Sequence, residues 1–597
     1  ASGAANAIYP AKAATAAEAT ATTWESLELS LDTQTQTNDD NYTHTVDYDY
    51  MTATVTNVAS LPTGNDLDFH HLLAMMTIKI TGKPTSYTSG ANNAPVLLIL
   101  KAGSSESGEY GNFYRSIKPS DGTGKTPDAA TLSLKNITWG DVGFTAHMMI
   151  VPTDLTDKTF TVSVECADGS TYRFTTPQIG KAYEKGMRYT ATIAGSGWTK
   201  ADENTAEVFY NNTTAATGFA FGDGSEENPY VIATPGQLKY LVSQVNSSLN
   251  KNNYENKYIR LATDIKVAED VQWQPIGKNY LSLFKGHFDG SGHTIYGKLA
   301  NSGYNYFGFF GYINSGSVKN LHVKADIDGG ANGTGMVYVG GITGYATSAT
   351  ISDCSYSGTI TGRVGIECNT GGVTGTATTS TNISNCTVQG EISGSTLSVD
   401  KGGDNNTGGI TGSIGNSTQI QSCTNKANVK GSSGGQTSET SATGGIVGYC
   451  SNGGTINNCN NEGEITVQYT NSGSHCYVGG LAGTAGSNSA FTGCTNTGKV
   501  TGGQVRESQN SYCGGLVGNN LGTLHLCLNA ASATVTGGSG GTNYTGGLAG
   551  NASILGAIYN CCTNLATVDG AAASDANRLG GGVVTECNEG HQPRTDE

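Results

Sequence analysis

A repeated Gly-Gly-x-x-Gly motif is the feature that most limits what this chain can fold into. The second glycine of the motif recurs at spacings of 31, 37, 36, 35, 35 and 32 residues. Its seven positions are Gly341, Gly372, Gly409, Gly445, Gly480, Gly515 and Gly547. Self-similarity at such a period is typical of a solenoid, in which each unit buries its apolar side only by stacking on its neighbours. The C-terminal part of the chain is therefore predicted to be a stack of parallel β-coils.

Each repeat also carries a cysteine in a constant place. Alternating apolar residues predict three short strands per unit, and the cysteine lies in the second strand. The positions are Cys354, Cys386, Cys423, Cys459, Cys494 and Cys527, followed by Cys561 or Cys562. Stacked coils align these side chains with parallel Cα–Cβ bonds, which suits the disulfide dihedral badly. We expect a core ladder of reduced cysteines, with disulfides or metal ligation as the alternatives.

A helix is predicted just before the coils, in the segment TPGQLKYLVSQVN. Thr234 is a typical N-cap, with Pro235 at the first helical position and Gln237 two residues later. The apolar residues of the segment fall on one face, so the helix is expected to cap the open end of the solenoid core.

Composition excludes several functions. The chain has 597 residues and a net charge of −16, with no cluster of Lys and Arg, so no nucleic acid partner is expected. It has no run of 18 apolar residues that would span a membrane. No Cys-x-x-Cys pair indicates a zinc site, and neither a metal nor a cofactor is expected. The acidic residues of the repeats are scattered and form no obvious pair, so no catalytic residue is assigned and the chain is not expected to be an enzyme.

The N-terminal third of the chain does not contain this repeat. Alternating strands such as HTVDYDYMTATVTNV, NAPVLLILKAG and TFTVSVECADGSTYRFTT are separated by turn residues, and no long helix is evident. This pattern is typical of a β-sandwich. The whole chain is therefore predicted to be all-β, with a sandwich followed by a parallel β-helix.

The repeats are similar to the GLUG-repeat β-solenoids of bacterial surface proteins. The segments that show this similarity are TPGQLKYLV, YIRLATDI, WQPIG, FKGHFDGSGHTIYG, FGFFG and the GGLVG units. The resemblance covers about residues 219–590. It implies a right-handed parallel β-helix on the cell surface and does not imply a reaction.

The N-terminal third resembles the fimbrillin family of pilus and surface-adhesin subunits. LDFHHLLAMMTIKI, MMIVPTDL and YEKGMRYTATI carry the resemblance, the last with Gly186 and Tyr189 of a Gly-x-x-Tyr motif. It implies that residues 1–60 are the last part of an N-terminal domain that begins upstream of Ala1. Residues 61–198 are then a fimbrillin-like sandwich, 199–218 a linker and 219–597 the solenoid.

Together the two resemblances imply an exported adhesion protein of a Gram-negative bacterium, on the outer membrane as a lipoprotein or in a fimbrium. Because the chain continues past the Gly-x-x-Tyr strand into the solenoid, a tip or accessory subunit is expected rather than a shaft subunit. The sandwich would bind other fimbrial subunits, and the β-helix would bind a host or bacterial glycan or protein. A surface glycan-binding protein for nutrient capture and a β-helix polysaccharide lyase or hydrolase are the alternatives.

Three tyrosines are the candidate ligand contacts. Tyr477, Tyr512 and Tyr544 each lie two residues before a Gly-Gly pair on consecutive units. Stacked coils would align them in a column that offers rigid aromatic area to a sugar ring or to a partner protein. The alternative is that the column only stabilises the sheet by stacking on itself.

Overall fold

The structure is a computed structural model. It describes residues 5–9, 29–31, 34–55, 69–87, 93–102, 113–121, 123–156, 158–176, 182–204, 206–220, 222–247, 252–330, 335–363, 366–395, 404–431, 440–467, 475–552 and 558–570.

The chain divides into two compact units. The first comprises Ala1–Leu241, Lys257–Lys266 and Ser291–His293, and the second comprises Val242–Asn256, Val267–Gly290 and Thr294–Glu597.

The first unit is built on two sheets that share a core. The larger sheet has, in spatial order, the strands Thr199–Lys200, Thr171–Thr176, Phe160–Cys166, Pro95–Ala102, Ala130–Leu134 and Thr35–Gln36. The smaller has Phe144–Ile150, Ala74–Thr81 and Arg188–Ala194. One core cluster takes side chains from both sheets, including Leu98 and Val162 from the larger and Ile78 and Met148 from the smaller. This face-to-face packing is that of a β-sandwich.

Smaller elements complete the first unit. Two further three-stranded sheets are formed by Ala5–Tyr9, Met51–Val55 and His70–His71, and by Leu29–Ser30, Phe113–Ile117 and Gly124–Asp128. Tyr230–Ile232 pairs in parallel with Tyr258–Leu261. The remaining strands are Glu207–Phe209 and Ile265–Val267, the second of which ends in the other unit, and 3₁₀ turns cover Thr43–Tyr48 and Gly195–Gly197.

The larger sheet of the first unit is buried on both faces. Leu98 and Leu100 point into the sandwich core, while Leu97 and Ile99 alternate to the opposite face. There they pack against Ala220, Val231, Ala233 and Ala262. Residues 199–218, expected as a linker, include the strand Thr199–Lys200, which pairs with Thr171–Thr176. They also include the buried Glu207. The predicted domain boundaries stay predictions.

A buried charged cluster lies on this second face. Glu165 accepts a hydrogen bond from Arg260 Nη1 at 2.6 Å, and its carboxylate also lies 3.4 Å from His293 Nε2. The other ring nitrogen of His293 is 3.2 Å from Asp264 Oδ1. Burial opposes charge on His293, but the two carboxylates outweigh it and hold the pKa of the imidazole above its usual value.

A second ion pair extends the cluster. Lys101 Nζ donates to Glu207 Oε1 and to the Ala233 carbonyl, each at 2.9 Å. Arg173 Nη2 donates to Thr263 Oγ1 at 2.5 Å. Buried charges are tolerated when each is paired in this way, and removing one partner of such a pair is strongly destabilising. The cluster therefore fastens residues 206–207, 260–264 and 293 to the sandwich within the first unit.

The predicted helix is present as Pro235–Asn246. Its capping box is complete, because Thr234 Oγ1 accepts from the Gln237 backbone N–H and Gln237 Oε1 accepts from the Thr234 N–H. Whether the helix caps the solenoid core stays a prediction.

The second unit is a parallel β-solenoid with four sheets rather than the three expected. The chain makes a strand before the Gly-Gly pair, a strand after it, a strand before the cysteine and one or two strands after the cysteine. The pre-glycine sheet has Tyr306–Phe307, Met336–Gly340, Glu367–Gly371, Asn405–Gly408, Thr440–Gly444, His475–Gly479, Asn510–Gly514 and Thr542–Gly546. The post-glycine sheet has Phe310–Asn314, Thr343–Thr347, Thr374–Thr378, Thr411–Ile414, Val447–Cys450, Ala482–Ala485, Val517–Asn520 and Ala549–Ala552.

The two cysteine-flanking sheets continue each coil. In the second unit the pre-cysteine sheet has His287–Asp289, Ser317–Lys319, Thr350–Ser352, Asn382–Ser384, Gln419–Gln421, Thr455–Asn457, Ala490–Thr492, Thr523–His525 and Ile558–Asn560. The post-cysteine sheet there has Gln272–Trp273, Thr294–Asn301, His322–Asp328, Ser355–Thr361, Thr387–Ser393, Thr424–Asn425, Asn428–Gly431, Asn460–Asn461, Ile465–Val467, Thr495–Asn496, Val500–Thr501, Leu528–Asn529, Thr534–Thr536, Thr563–Asn564 and Thr567–Val568.

The Gly-Gly pair splits one predicted strand in two because neighbouring coils touch there. A Cβ on Gly445 would lie 2.2 Å from the Gly480 carbonyl oxygen of the next coil. It would also lie 2.3 Å from the Asn461 side chain. Gly445 does not have a positive φ, so close approach of the backbones, and not a left-handed turn, requires the glycine.

An asparagine ladder fills the space beneath these glycines. The Nδ2 of each asparagine donates to the Oδ1 of the next at 2.8 to 2.9 Å. The members are Asn425, Asn461, Asn496, Asn529 and Asn564. On two earlier coils the residues that meet the matching glycine are Tyr356 and Val388. Aligned amides of this kind bind identical parallel strands to each other.

The residue before each ladder cysteine is left-handed, with φ between 51° and 63°. From the first such coil to the last these residues are Asp353, Asn385, Ser422, Asn458, Gly493, Leu526 and Cys561, and Asn320 has the same conformation before Leu321 on the coil that precedes the ladder. Asn, Asp, Ser and Gly tolerate or favour this conformation, which explains the polar residue at the turn into the post-cysteine strand.

Candidate functional site

The three candidate tyrosines stand in one column of the pre-glycine sheet. Strand pairing places Tyr477 beside Tyr512 and Tyr512 beside Tyr544. Their rings are stacked nearly parallel, with centroids 5.1 Å apart for the first pair and 4.9 Å for the second. The full column along the sheet is Tyr306, Tyr338, Asn369, Asn406, Ala442, Tyr477, Tyr512 and Tyr544.

A second column belongs to the post-glycine sheet. Its members are Tyr312, Tyr345, Thr376, Ser413, Tyr449, Thr484, Asn519 and Asn551. The two columns meet on the same coil, since the rings of Tyr338 and Tyr345 are 5.0 Å apart and Asn369 Nδ2 donates to Thr376 Oγ1 at 2.9 Å. Neither column contains a charged residue, although the chain has a net charge of −16. We call the two columns together the uncharged strip.

Stacking decides which parts of the three tyrosines a ligand can reach. Tyr512 has a ring on each side, so both of its faces are covered, and Tyr477 has one face covered by Tyr512. The edges and hydroxyl groups are what this column presents, and Tyr544 is 39% exposed at its end. Burial, then the neighbouring Tyr512 and Cys476, raises the pKa of Tyr477 to about 12, so its hydroxyl keeps its proton near neutral pH.

A second aromatic cluster, which was not predicted from the sequence, lies on the first two coils of the strip. Tyr306, Tyr312, Tyr338 and Tyr345 pack with ring centroids 4.9 to 5.8 Å apart at mixed angles. Their signal was a tyrosine on either side of each glycine motif, six or seven residues apart.

The predicted ladder cysteines lie on consecutive coils and are buried. Each thiol donates to the carbonyl two residues before it, as Cys459 does to Asn457 at 3.3 Å. Cys562 continues the column, while Cys561 precedes it and is disulfide-bonded. Burial raises the pKa of the Cys527 thiol well above its usual value, so the thiolate needed for oxidation or metal binding is disfavoured.

Four acidic residues of the coils each contact a side chain of a neighbouring coil. Glu391 lies 3.3 Å from Lys430, Glu462 lies 3.6 Å from Lys426, and Glu464 lies 3.1 Å from Lys499. Asp353 Oδ1 accepts from Asn385 Nδ2 at 3.0 Å. Among the described residues, no group of three or more His, Cys, Asp or Glu side chains could hold a metal ion.

Two histidines, His287 and His293, flank the DGSG turn and contact neighbouring side chains. His287 Nδ1 lies 2.9 Å from Ser317 Oγ on the next coil, and His293 lies in the buried charged cluster of the first unit. In the part of the chain that the structure covers, no helix is both long and apolar enough to cross a membrane.

Comparisons with known proteins agree with the N-terminal expectation. Residues 5–213, about a third of the chain, match the model of a family described as fimbrillin-like. The N-terminal region is therefore fimbrillin-like, and it is followed by a β-solenoid.

Two of the proteins that are similar to this chain show how far the likeness extends. A protein of Evansella cellulosilytica with the provisional name Gly-rich membrane protein is 36% identical over 117 residues. That match covers 18% of this chain, and this chain spans 12% of that protein's length. A crystal structure from Bacteroides ovatus, provisionally identified as an immunoglobulin A1 protease, has a TM-score of 0.34 at 18% identity, over 62% of this chain and 85% of the other. At that TM-score the likeness supports no inference about function.

Proposed function

We propose that this chain is a cell-surface adhesion protein, a tip or accessory subunit of a fimbria that displays its β-solenoid to a ligand. The observation that supports this most is the order of its parts, a fimbrillin-like region followed by stacked coils. The name of the relative, a Gly-rich membrane protein, agrees with a location at the cell surface. The protein would be exported by a Gram-negative bacterium to its outer membrane or fimbriae.

The two regions would have different partners. The fimbrillin-like region would join other fimbrial subunits, as its family suggests. The solenoid would bind a host or bacterial glycan or protein, with Tyr477, Tyr512 and Tyr544 among its contacts. These three tyrosines offer repeated aromatic edges and hydroxyls from a rigid sheet, which costs little conformational entropy on binding.

A binding role fits the coils better than catalysis does. Glycosidases use two carboxylates that flank the scissile bond. Here Glu391, Glu462 and Glu464 are each neutralised by a lysine on the coil surface. We therefore propose that the chain is not an enzyme.

Immunogold electron microscopy on intact cells tests the proposal. Antibodies against residues 440–552 should label fimbriae at or near their tips, and a deletion strain should lose adherence that the wild-type gene restores. An antibody against the shaft subunit serves as the control for fimbrial integrity. Label along the whole shaft, or label absent from fimbriae, would reject the tip assignment.

A glycan-capture protein for nutrient uptake is the second candidate. The absence of charged residues from the uncharged strip favours it, because neutral polysaccharides need hydroxyl and amide contacts rather than ion pairs. Under this alternative the deletion strain would grow more slowly on a polysaccharide while its adherence would be unchanged.

A further inference from the structure

We propose that the uncharged strip binds one linear, uncharged glycan that runs along the solenoid axis across Tyr477, Tyr512 and Tyr544. This inference rests on the proposed function, in which the solenoid binds a ligand, and it names the class of that ligand. The contacts on the other side of the glycan would be Asn519 and Asn551 of the second column, because Thr484 is buried.

The repeat distance of the strip is the first argument. The three tyrosine rings follow one another at 5.1 and 4.9 Å, close to the spacing of stacked parallel coils. A sugar ring in an extended glycan chain repeats at a similar distance. Each coil can therefore meet one sugar with the same set of groups, and the register does not drift over three coils.

The groups that each coil presents are the second argument. In the two columns, Tyr477 corresponds to Thr484, Tyr512 to Asn519 and Tyr544 to Asn551. Each of these coils thus has one phenol and one hydroxyl or amide in the strip, with Thr484 buried and Asn519 and Asn551 partly exposed. Such groups donate and accept hydrogen bonds without charge, as the hydroxyls of a neutral sugar do.

The orientation of these groups is the third argument. Because both ring faces of Tyr512 are covered by its neighbours, this tyrosine cannot stack on a sugar face, and recognition at the centre of the row must use hydroxyls and ring edges. Asn510 Nδ2 donates to the Tyr512 hydroxyl at 2.8 Å, which directs that oxygen's own hydrogen toward a further acceptor. Asn551 Nδ2 donates to Asn519 Oδ1 at 2.8 Å, which fixes the opposite side.

The ends of the tyrosine row limit the length of glycan that it contacts. Ala442 takes the place of a tyrosine on the coil before Tyr477. Tyr544 lies on the last strand of the described pre-glycine sheet. Three coils therefore contribute, and a glycan of about three or four sugars fills the row at the coil spacing of about 4.8 Å.

Calorimetry on the whole protein tests this. The probes are cello-, laminari- and β-1,4-manno-oligosaccharides from disaccharide to hexasaccharide, with polygalacturonic acid and dextran sulfate as charged polymers. We expect at least one neutral series to bind, with affinity that rises up to the tetrasaccharide and then levels off. The charged polymers should not bind more tightly.

Substitutions to phenylalanine separate recognition from stacking. Tyr477→Phe and Tyr512→Phe keep the rings, and each should weaken binding about three- to tenfold, as expected for one lost neutral hydrogen bond. Tyr477→Phe should leave the melting temperature unchanged, whereas Tyr512→Phe also loses the hydrogen bond from Asn510 Nδ2 and should lower it slightly. Tyr296→Phe, on the post-cysteine sheet, is the matched control and should bind as the wild type does. Asn519→Ala should weaken binding to a similar degree.

Three results would overturn the proposal. They are no binding to any of the neutral oligosaccharides, unchanged binding in both Phe variants, or tighter binding of the charged polymers. Failure of the proposed function is scored separately, by immunogold label and adherence. If the Phe variants lose adherence while no oligosaccharide binds, the ligand is a protein, and the glycan inference is wrong while the adhesion function stands.

Discussion

His293 Nδ1 lies 3.2 Å from the carboxylate of Asp264, deep in the first unit. The opposite ring nitrogen faces Glu165. A neutral imidazole has one N–H and would direct a lone pair at one of these carboxylates, whereas the protonated ring donates to both. The geometry therefore favours the imidazolium form.

The first prediction follows from the sign of this effect. The folded pKa of His293 is raised, so its contribution to stability is complete below pH 6.5, its unfolded value, and is lost as the pH rises through the folded pKa. We expect His293→Gln to lower the melting temperature more at about pH 5.5 than at about pH 9. His287→Gln, at a hydrogen bond between coils, is the control. An equal loss at both pH values would contradict the imidazolium assignment.

A second prediction concerns where the first unit ends. A fragment of residues 1–198 exposes Leu97 and Ile99, which Ala220, Val231, Ala233 and Ala262 cover in the structure. It also leaves Lys101 without Glu207. We expect a fragment of residues 1–266 to unfold at a higher temperature than residues 1–198. Equal melting temperatures would support instead a linker at 199–218.

The asparagine ladder gives a third prediction. Asn461→Ala removes the acceptor of the Asn425 amide and the donor to Asn496 Oδ1, so each of these buried groups keeps only its bond to Ala427 or Gly498. The expected loss is about 0.5–1.5 kcal/mol of unfolding free energy for each lost hydrogen bond. Asn460→Ala, whose amide bonds Glu462 at the surface, should cost less than about 1 kcal/mol. Denaturant unfolding measures both, and similar losses would show that the ladder adds no stability.

The cysteine ladder gives a fourth prediction. Cys459→Asp buries a carboxylate with no cation beside it and should destabilise the solenoid by several kcal/mol, roughly. Cys459→Ala, the control, should cost about 1 kcal/mol. Twelve described cysteines form no disulfide, so thiol titration under denaturant should find about that number. Finding almost none would mean that the ladder is oxidised.

The close approach at the Gly-Gly pair gives a fifth prediction, which the substitution Gly445→Ala tests. The new Cβ would meet the Gly480 carbonyl oxygen at 2.2 Å, and this backbone cannot move without disturbing the next coil. We expect a loss of at least about 2 kcal/mol. Gly335→Ala is the control, because its Cβ would meet only the end of the Asn305 side chain at 3.3 Å. Comparable melting temperatures for the two variants would argue against tight packing at the Gly-Gly pair.

The solenoid could be predicted from the sequence because its period is long, repeated and marked by glycine. The position of the helix and its capping box followed from Thr234, Pro235 and Gln237 for the same reason, since these signals are local. The split of one strand into two at the Gly-Gly pair could not be predicted, because it depends on how closely Gly445 approaches the next coil.

The buried charged cluster could not be predicted from the sequence either, since Glu165, Arg260 and His293 are far apart in the chain. One signal was available for the face on which it lies. The strand Pro95–Ala102 is apolar on nearly every residue, and a continuous apolar strand indicates burial on both faces. In the site, stacking was predicted for Tyr477 and Tyr512, but the covering of their ring faces depends on an interplanar angle that no sequence pattern encodes.

Every amide in the asparagine ladder donates in the same direction, from one coil to the next. A unit such as that between Gly445 and Gly480 therefore offers its neighbours the same donor and acceptor as the unit that follows it. Recombination that removed this unit would place Asn425 next to Asn496, and recombination that duplicated it would add one more asparagine to the ladder. Neither event would leave an amide of the ladder unpaired. The gene can in this way change the length of the solenoid in steps of one coil, while the hydrogen bonds of the asparagine ladder between neighbouring coils stay the same.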